Sequence, residues 1–341
     1  MGDPLAEKLD RIPLVRWLVK LLKGIRLKAF EGMSMFDLTV LYVRGIVRGT
    51  LSIRASAIAF SLFMALFPLL IFLITLLPYL IPYVNIGEGN LEDQFLHFLE
   101  TLLPRASGDY FNEIFLQLRE QKTGGWLSYS FLISIFLMTN GVNAIFGGFE
   151  SSYHIEFTRN FFRQYAYALM VGMILSILLI LGAVTYISFE FFVAASLVDL
   201  TPDGTQQLFW IRFGQAISFI VLSYLTTAVL YYFGTMEGKK AKFFSYGALM
   251  TTLLILFNSY LFGVYIERFA RYNEIYGALG GLLILMVYIW LNSNILLLGF
   301  ELNATLAFLH KNVEKSEDDE DLEEAFSSST RNSGIGSETK E

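Results

Sequence analysis

The chain has no cysteine and only three histidines, His97, His154 and His310, far apart in sequence. The first absence excludes disulfides, thiolate metal sites and a cysteine nucleophile. The second leaves no histidine spacing suited to a metal ion. Charged residues make up 16% of the composition, against roughly 25% in an ordinary soluble domain. There is no Gly-Lys-Ser/Thr phosphate loop, no Gly-x-Ser-x-Gly turn and no cluster of acids suited to two-metal chemistry. The pattern therefore points away from an ATP-driven pump, a serine hydrolase or a nuclease. Neither catalysis, a cofactor, a metal nor nucleic-acid binding is expected.

What the chain has is hydrophobicity: 55% of its residues are hydrophobic, and its mean hydropathy is +0.53. The apolar residues fall into six runs, near residues 55–77, 126–149, 165–189, 209–233, 244–266 and 275–300. Each run is long enough to cross about 30 Å of hydrocarbon as a helix. The expected fold is an all-α bundle of six transmembrane helices, occupying residues 55–309. The first long run begins near Ala55, so no cleavable signal peptide is expected and insertion falls to the helices themselves. Pro68 lies in the middle of the first run, where it removes a backbone donor and is expected to kink the helix; Pro78 and Pro82 are expected to end it.

The formal net charge of -6 hides two unlike ends. Residues 1–54 are basic. Leu14, Trp17, Leu18, Leu21, Leu22 and Ile25 recur at helical spacing, interleaved with Arg16, Lys20, Lys23 and Arg26. That is the pattern of an amphipathic helix on a membrane surface, or equally of a solvated helix packed on the protein. A second helix is expected from Ser34 through Arg44 and Arg48 toward the first span. Residues 310–341 are acidic, with Glu317, Asp318, Asp319, Glu320, Asp321, Glu323 and Glu324 in one stretch. That tail is expected to be disordered and to be available to a protein partner.

Lysine and arginine decide the orientation. Arg159 and Arg163 follow the second span and Lys239, Lys240 and Lys242 follow the fourth, whereas the loop after the third, near residues 199–207, has neither residue type. Positive loops stay inside, so both termini are expected in the cytoplasm. Arg268 and Arg271, between the fifth and sixth spans, weakly dissent. The long external segment, residues 85–125, reads as two short amphipathic helices, either a lid or a packing element.

Polar side chains at membrane depth are costly, and few are present. Asn140 and Asn143 precede Glu150 in the second span; Asn292 and Asn294 precede Glu301 in the sixth. The two stretches share one spacing, Asn143 to Gly148-Phe149-Glu150 and Asn294 to Gly299-Phe300-Glu301, which puts each Asn on its Glu's helix face. One reading is a polar pocket for a proton, cation or cationic head group; the other is helix-to-helix hydrogen bonding, with the glutamates in cytoplasmic water. Arg44, Arg48, Arg54, Lys239, Lys240 and Lys242 are candidates for lipid head-group contact, and the same lysines also satisfy the charge rule. The glycines Gly147, Gly148, Gly277, Gly280 and Gly281 suggest close helix approach.

Ala55-Ser56-Ala57-Ile58-Ala59-Phe60 leading to Phe67-Pro68, then Asn143, Gly247-Ala248, and Tyr276-Gly277 through Gly299 and Glu301 are similar in order and spacing to the YihY/BrkB family, once mislabelled as ribonuclease BN. The resemblance covers roughly residues 35–310. Phe300 departs from it, standing where relatives often carry a small residue. The resemblance implies six spans in the bacterial cytoplasmic membrane and loose links to envelope integrity, serum resistance and lipid export. The functional expectation is a transporter or lipid translocase not driven by ATP, with membrane lipid as partner and amphiphile as substrate. The rival is a scaffold without a transport path, and a ribonuclease ranks far behind both.

The charge pattern makes a direct prediction about sidedness. Fluorescent tags at either terminus should report the cytoplasm, and a periplasmic reporter enzyme inserted within residues 104–108 should be active. Termini on opposite sides would contradict six crossings.

Overall fold

A computed structural model describes residues 35–48, 50–80, 124–152, 155, 158–197, 204–236, 243–269 and 278–334. Among these residues there are seven helices and no strand: α1 Met35–Arg48, α2 Leu51–Leu80, α3 Gly124–Glu150, α4 Phe161–Leu197, α5 Gly204–Gly234, α6 Tyr246–Phe269 and α7 Ala278–Gly334. Several expected features lie outside the described residues: the helix near residues 14–26, Pro82, the long external segment (its last two residues open α3), Lys239, Lys240 and Lys242, Arg271 and Gly277.

Six of the helices are long and apolar enough to cross a membrane, over Leu51–Leu70, Leu132–Glu150, Phe161–Tyr186, Phe209–Gly234, Tyr246–Ile266 and Gly280–Leu309. A helix is the required form for such sequences, because hydrocarbon offers no partner to a backbone N–H or C=O. Large apolar side chains stand exposed on every one, among them Phe60, Phe136, Ile177, Phe213, Leu253 and Val287. In water that surface would aggregate, whereas against lipid tails it costs nothing. Pro68 is buried within α2, which continues past it and past Pro78 to Leu80. A proline removes one hydrogen bond of a membrane helix without ending it, since neighbouring helices compensate. α7 likewise runs on through the acidic tail, expected to be without structure, to Gly334.

Arg48–Phe300 form one compact unit and Met1–Val47 with Glu301–Glu341 the other. In the larger unit α2 packs on α3, α3 on α4, α4 on α5 and α5 on α6. Neighbours run in opposite directions. Arg54, at the start of α2, donates from Nη1 to the carbonyl of Gly148 at the end of α3, at 2.9 Å. Arg159, just before α4, reaches the end of α5. Deeper in the bundle Phe72, Leu73, Met138, Ile180, Ala183 and Leu285 form a buried apolar cluster drawn from α2, α3, α4 and α7. α2 is entered through Thr50, a β-branched residue held at φ 48°, a strained conformation, whose carbonyl accepts from Ile53 N at 3.0 Å.

Close crossings are made at particular glycines. A Cβ on Gly299 would overlap Thr251 Oγ1 and lie 2.6 Å from Tyr231 Oη and 2.7 Å from Gly247 O. One on Gly148 would meet Ile58 Cδ1 at 2.5 Å, whereas beside Gly147 there is nothing within 4 Å. Gly299→Ala should therefore destabilise by about 1–3 kcal/mol, as overpacking does. Gly147→Ala should be neutral or stabilising, since alanine is the better helix former. Thermal unfolding in detergent checks both, and equal melting temperatures for the two variants would contradict the crossing.

Candidate functional site

All six helices of the larger unit contribute to one cavity of about 440 Å³, each supplying at least one apolar side chain: Leu66, Met138, Leu175, Leu230, Ile255 and Leu296 from α2, α3, α4, α5, α6 and α7 in turn. Gly141 and Gly172 line it too, and a Cβ on Gly141 would meet Ala65 Cβ at 2.8 Å, so that glycine lets α2 and α3 approach. The volume falls within the roughly 300–1,000 Å³ of small-molecule sites. Among the described residues no lining side chain carries a charge; the polar ones are Ser176, Ser223, Thr226, Thr227, Tyr288, Asn292 and Ser293.

Most of these groups are tied to their own helices. Ser176 donates to Gly172 O at 2.8 Å, Thr227 to Ser223 O at 2.9 Å and Ser293 to Ile289 O at 2.8 Å. Bonding four residues back lets a hydroxyl sit in hydrocarbon without an external partner. Asn292 donates to Tyr288 O at 2.9 Å and faces Asn258 Nδ2 at 3.5 Å, while Tyr288 Oη and Ser259 Oγ are 2.8 Å apart. A neutral polar patch thus joins α6 to α7 along the cavity wall.

Of the six polar candidates in the spans, Asn292 alone lines the cavity. Asn294 donates to Trp290 O at 2.8 Å, and the Trp290 indole donates to Ser56 Oγ at 3.2 Å. Asn140 is exposed on α3. Asn143 is half-buried, and its Oδ1 has no hydrogen-bond partner among the described residues, an arrangement that costs about 1–3 kcal/mol.

The two matched Gly-Phe stretches meet. The rings of Phe149 and Phe300 stack in parallel, centroids 4.2 Å apart and planes 7° from coplanar. Tyr231 packs edge-on against both, at 5.6 and 5.9 Å. Its hydroxyl donates to Leu296 O at 2.7 Å and lies 2.6 Å from Thr251 Oγ1, joining α5, α6 and α7 in one contact.

Glu150 and Glu301 fall in different units. Glu150 is half-buried and accepts from the backbone N–H of Arg159 at 3.3 Å. The Arg159 guanidinium donates to three carbonyls at the end of α5, Phe233, Gly234 and Thr235, at 2.7, 3.2 and 2.6 Å, and lies 4.4 Å over the Tyr167 ring. Burial lowers its pKa, while Glu150 and Tyr167 pull it upward. In the smaller unit Glu301 is fully buried and its carbonyl accepts from Thr305 at 2.7 Å. Tyr42 of α1 is pushed up to about 12, first by burial and then by the charge of Glu301.

Arg54, a candidate for head-group contact, is buried against Gly148, and Arg44 and Arg48 lie on α1, their side chains outside the described residues. Arg159 entered the sequence reading only as a topology charge. Its place between a span's last residues and the next span's first was the available signal that it closes a helix end. Tyr231 and the lining hydroxyls carried no signal of their own, since such residues recur throughout the spans.

Residues 43–323 match the family described as Virulence factor BrkB. The chain is 28% identical over 221 residues to the putative ribonuclease-like protein YfkH of Bacillus subtilis, covering 63% of this chain and 78% of that protein. It is 34% identical over 87 residues to a UPF0761 membrane protein of Idiomarina loihiensis, 26% of this chain and 31% of that one. Against a UPF0761 membrane protein of Coxiella burnetii it is 26% identical over 179 residues, 52% of this chain and 60% of the relative. It therefore spans less than two thirds of these two UPF0761 proteins. No solved structure matches. Six apolar helices, and a match running from α1 far into α7, make this chain a member of the Virulence factor BrkB family of membrane proteins.

Proposed function

We propose that the protein is a lipid or amphiphile translocase of the bacterial cytoplasmic membrane, not driven by ATP, with both termini in the cytoplasm. The observation that carries this reading is the uncharged, largely apolar cavity to which all six helices of the bundle contribute. A path for a small ion needs carbonyls or charged groups to replace its hydration shell. A lipid tail needs only apolar walls, and each buried methylene is worth about 0.8 kcal/mol against water. The cavity gives a chain what the bilayer gives it, so the chain can enter at little cost. Asn292 and Tyr288 then mark the polar side of the path, and Glu150 lies at the cytoplasmic end with Arg159. The acidic tail remains a candidate surface for a protein partner.

A scaffold without transport is the rival, and the name of the Bacillus relative raises a ribonuclease reading. One set of reconstitutions separates the three. In liposomes the protein should move fluorescent lipid between leaflets, and Leu175→Trp, which fills the cavity, should slow this by at least tenfold, the effect of about 1.4 kcal/mol on a barrier. Glu150→Gln should alter the rate, and an unchanged rate would take that carboxylate off the path. The same purified protein should leave RNA intact with magnesium or zinc present. Lipid movement no faster than in empty liposomes would favour the scaffold, and metal-dependent cleavage of RNA the enzyme.

A further inference from the structure

We infer that the cavity selects a lipid whose buried polar end is uncharged and both donates and accepts hydrogen bonds, such as a long-chain alcohol or a diacylglycerol. The inference rests on the carrier reading above and specifies what is carried.

Two features of the lining argue for it. Among the described residues the wall has no charged side chain, so a phosphate or carboxylate drawn inside would lose its water without gaining a counter-charge. The hydroxyls of Thr227 and Ser293 already spend their hydrogens on carbonyls, and that of Ser176 has both Gly172 O and Met138 Sδ in reach, at 2.8 and 3.3 Å. With the hydrogen committed, each of these oxygens keeps lone pairs that accept from an O–H and offer nothing to an anion.

The polar end has a defined place. Tyr288 and Asn292 stand one helical turn apart on α7 and both line the cavity. Facing them, Ser259 follows the lining residue Ile255 by one turn of α6, with Asn258 beside it. Asn292 commits one amide hydrogen to Tyr288 O, and the other has no partner among the described residues, so it can donate to an alcohol or ester oxygen. The 3.5 Å separation of Asn258 and Asn292 is at the limit of a hydrogen bond, a contact that a ligand oxygen can replace without loss. The ligand's chain then lies along Leu66, Met138 and Leu175.

The test uses the full chain in lipid nanodiscs and three photoreactive probes sharing one diazirine-bearing chain: a primary alcohol, the corresponding fatty-acid anion and a phosphatidic acid. Cross-linked peptides are mapped by mass spectrometry. The alcohol should label lining peptides of α3, α4 and α7 several-fold more than either anion. Asn292→Leu should lower that labelling about fivefold, the measure of one lost hydrogen bond. Tyr288→Phe, which keeps the ring and removes only the hydroxyl, serves as a second variant should Asn292→Leu fail to fold. Equal labelling by alcohol and anions, unchanged in both variants, would overturn the neutral-end inference and leave the carrier reading standing. Lining peptides labelled by none of the probes would overturn both.

Discussion

Everything in this bundle answers to one constraint: a polar group in hydrocarbon must find its partner inside the chain. The backbone meets it by forming helices, and the difficulty then moves to their ends, where the last carbonyls have no successor. Arg159 closes the end of α5 by donating to three carbonyls, and Arg54 reaches the Gly148 carbonyl near the end of α3. Both come from the beginning of a neighbouring crossing, so satisfying a helix end also fixes which helix lies beside it. The lining hydroxyls obey the same rule one turn at a time.

The constraint also shapes the cavity. Had the polar side chains of the spans been left unpartnered they would have drawn water into the bundle; tied to their own carbonyls, they leave a wall that is mostly hydrocarbon. The outside of the bundle is as apolar as the inside, with Phe60, Phe136 and Leu253 exposed. A lipid chain therefore meets similar chemistry on both sides of the helices, and what distinguishes the inside is the neutral pair Tyr288 and Asn292.

The crossings were legible in the sequence because hydrocarbon thickness sets a length that apolar runs must match. So was the kinship of the Gly148-Phe149 and Gly299-Phe300 stretches, which the structure brings together in a ring stack. What they do was less legible: the shared spacing drew attention to the glutamates, while the contact is made by the phenylalanines. Phe300, which departs from the family pattern, is half of that stack. The cavity could not be read at all, because Leu66, Leu175 and Ile255 look like any other apolar residues until six helices place them around one space. α2 runs to Leu80, between the two prolines expected to end it, because a proline withholds one donor without forbidding the next residues a helical backbone.

The absence of cysteine offers a direct test of the central claim, that this space is a lipid site and not an aqueous path. A single cysteine placed at Val142, Leu175 or Leu296 would be the only thiol in the protein. In liposomes each should react readily with an uncharged, membrane-soluble maleimide and hardly at all with a charged methanethiosulfonate. Reaction with the charged reagent as fast as at a cysteine exposed to water would contradict the account.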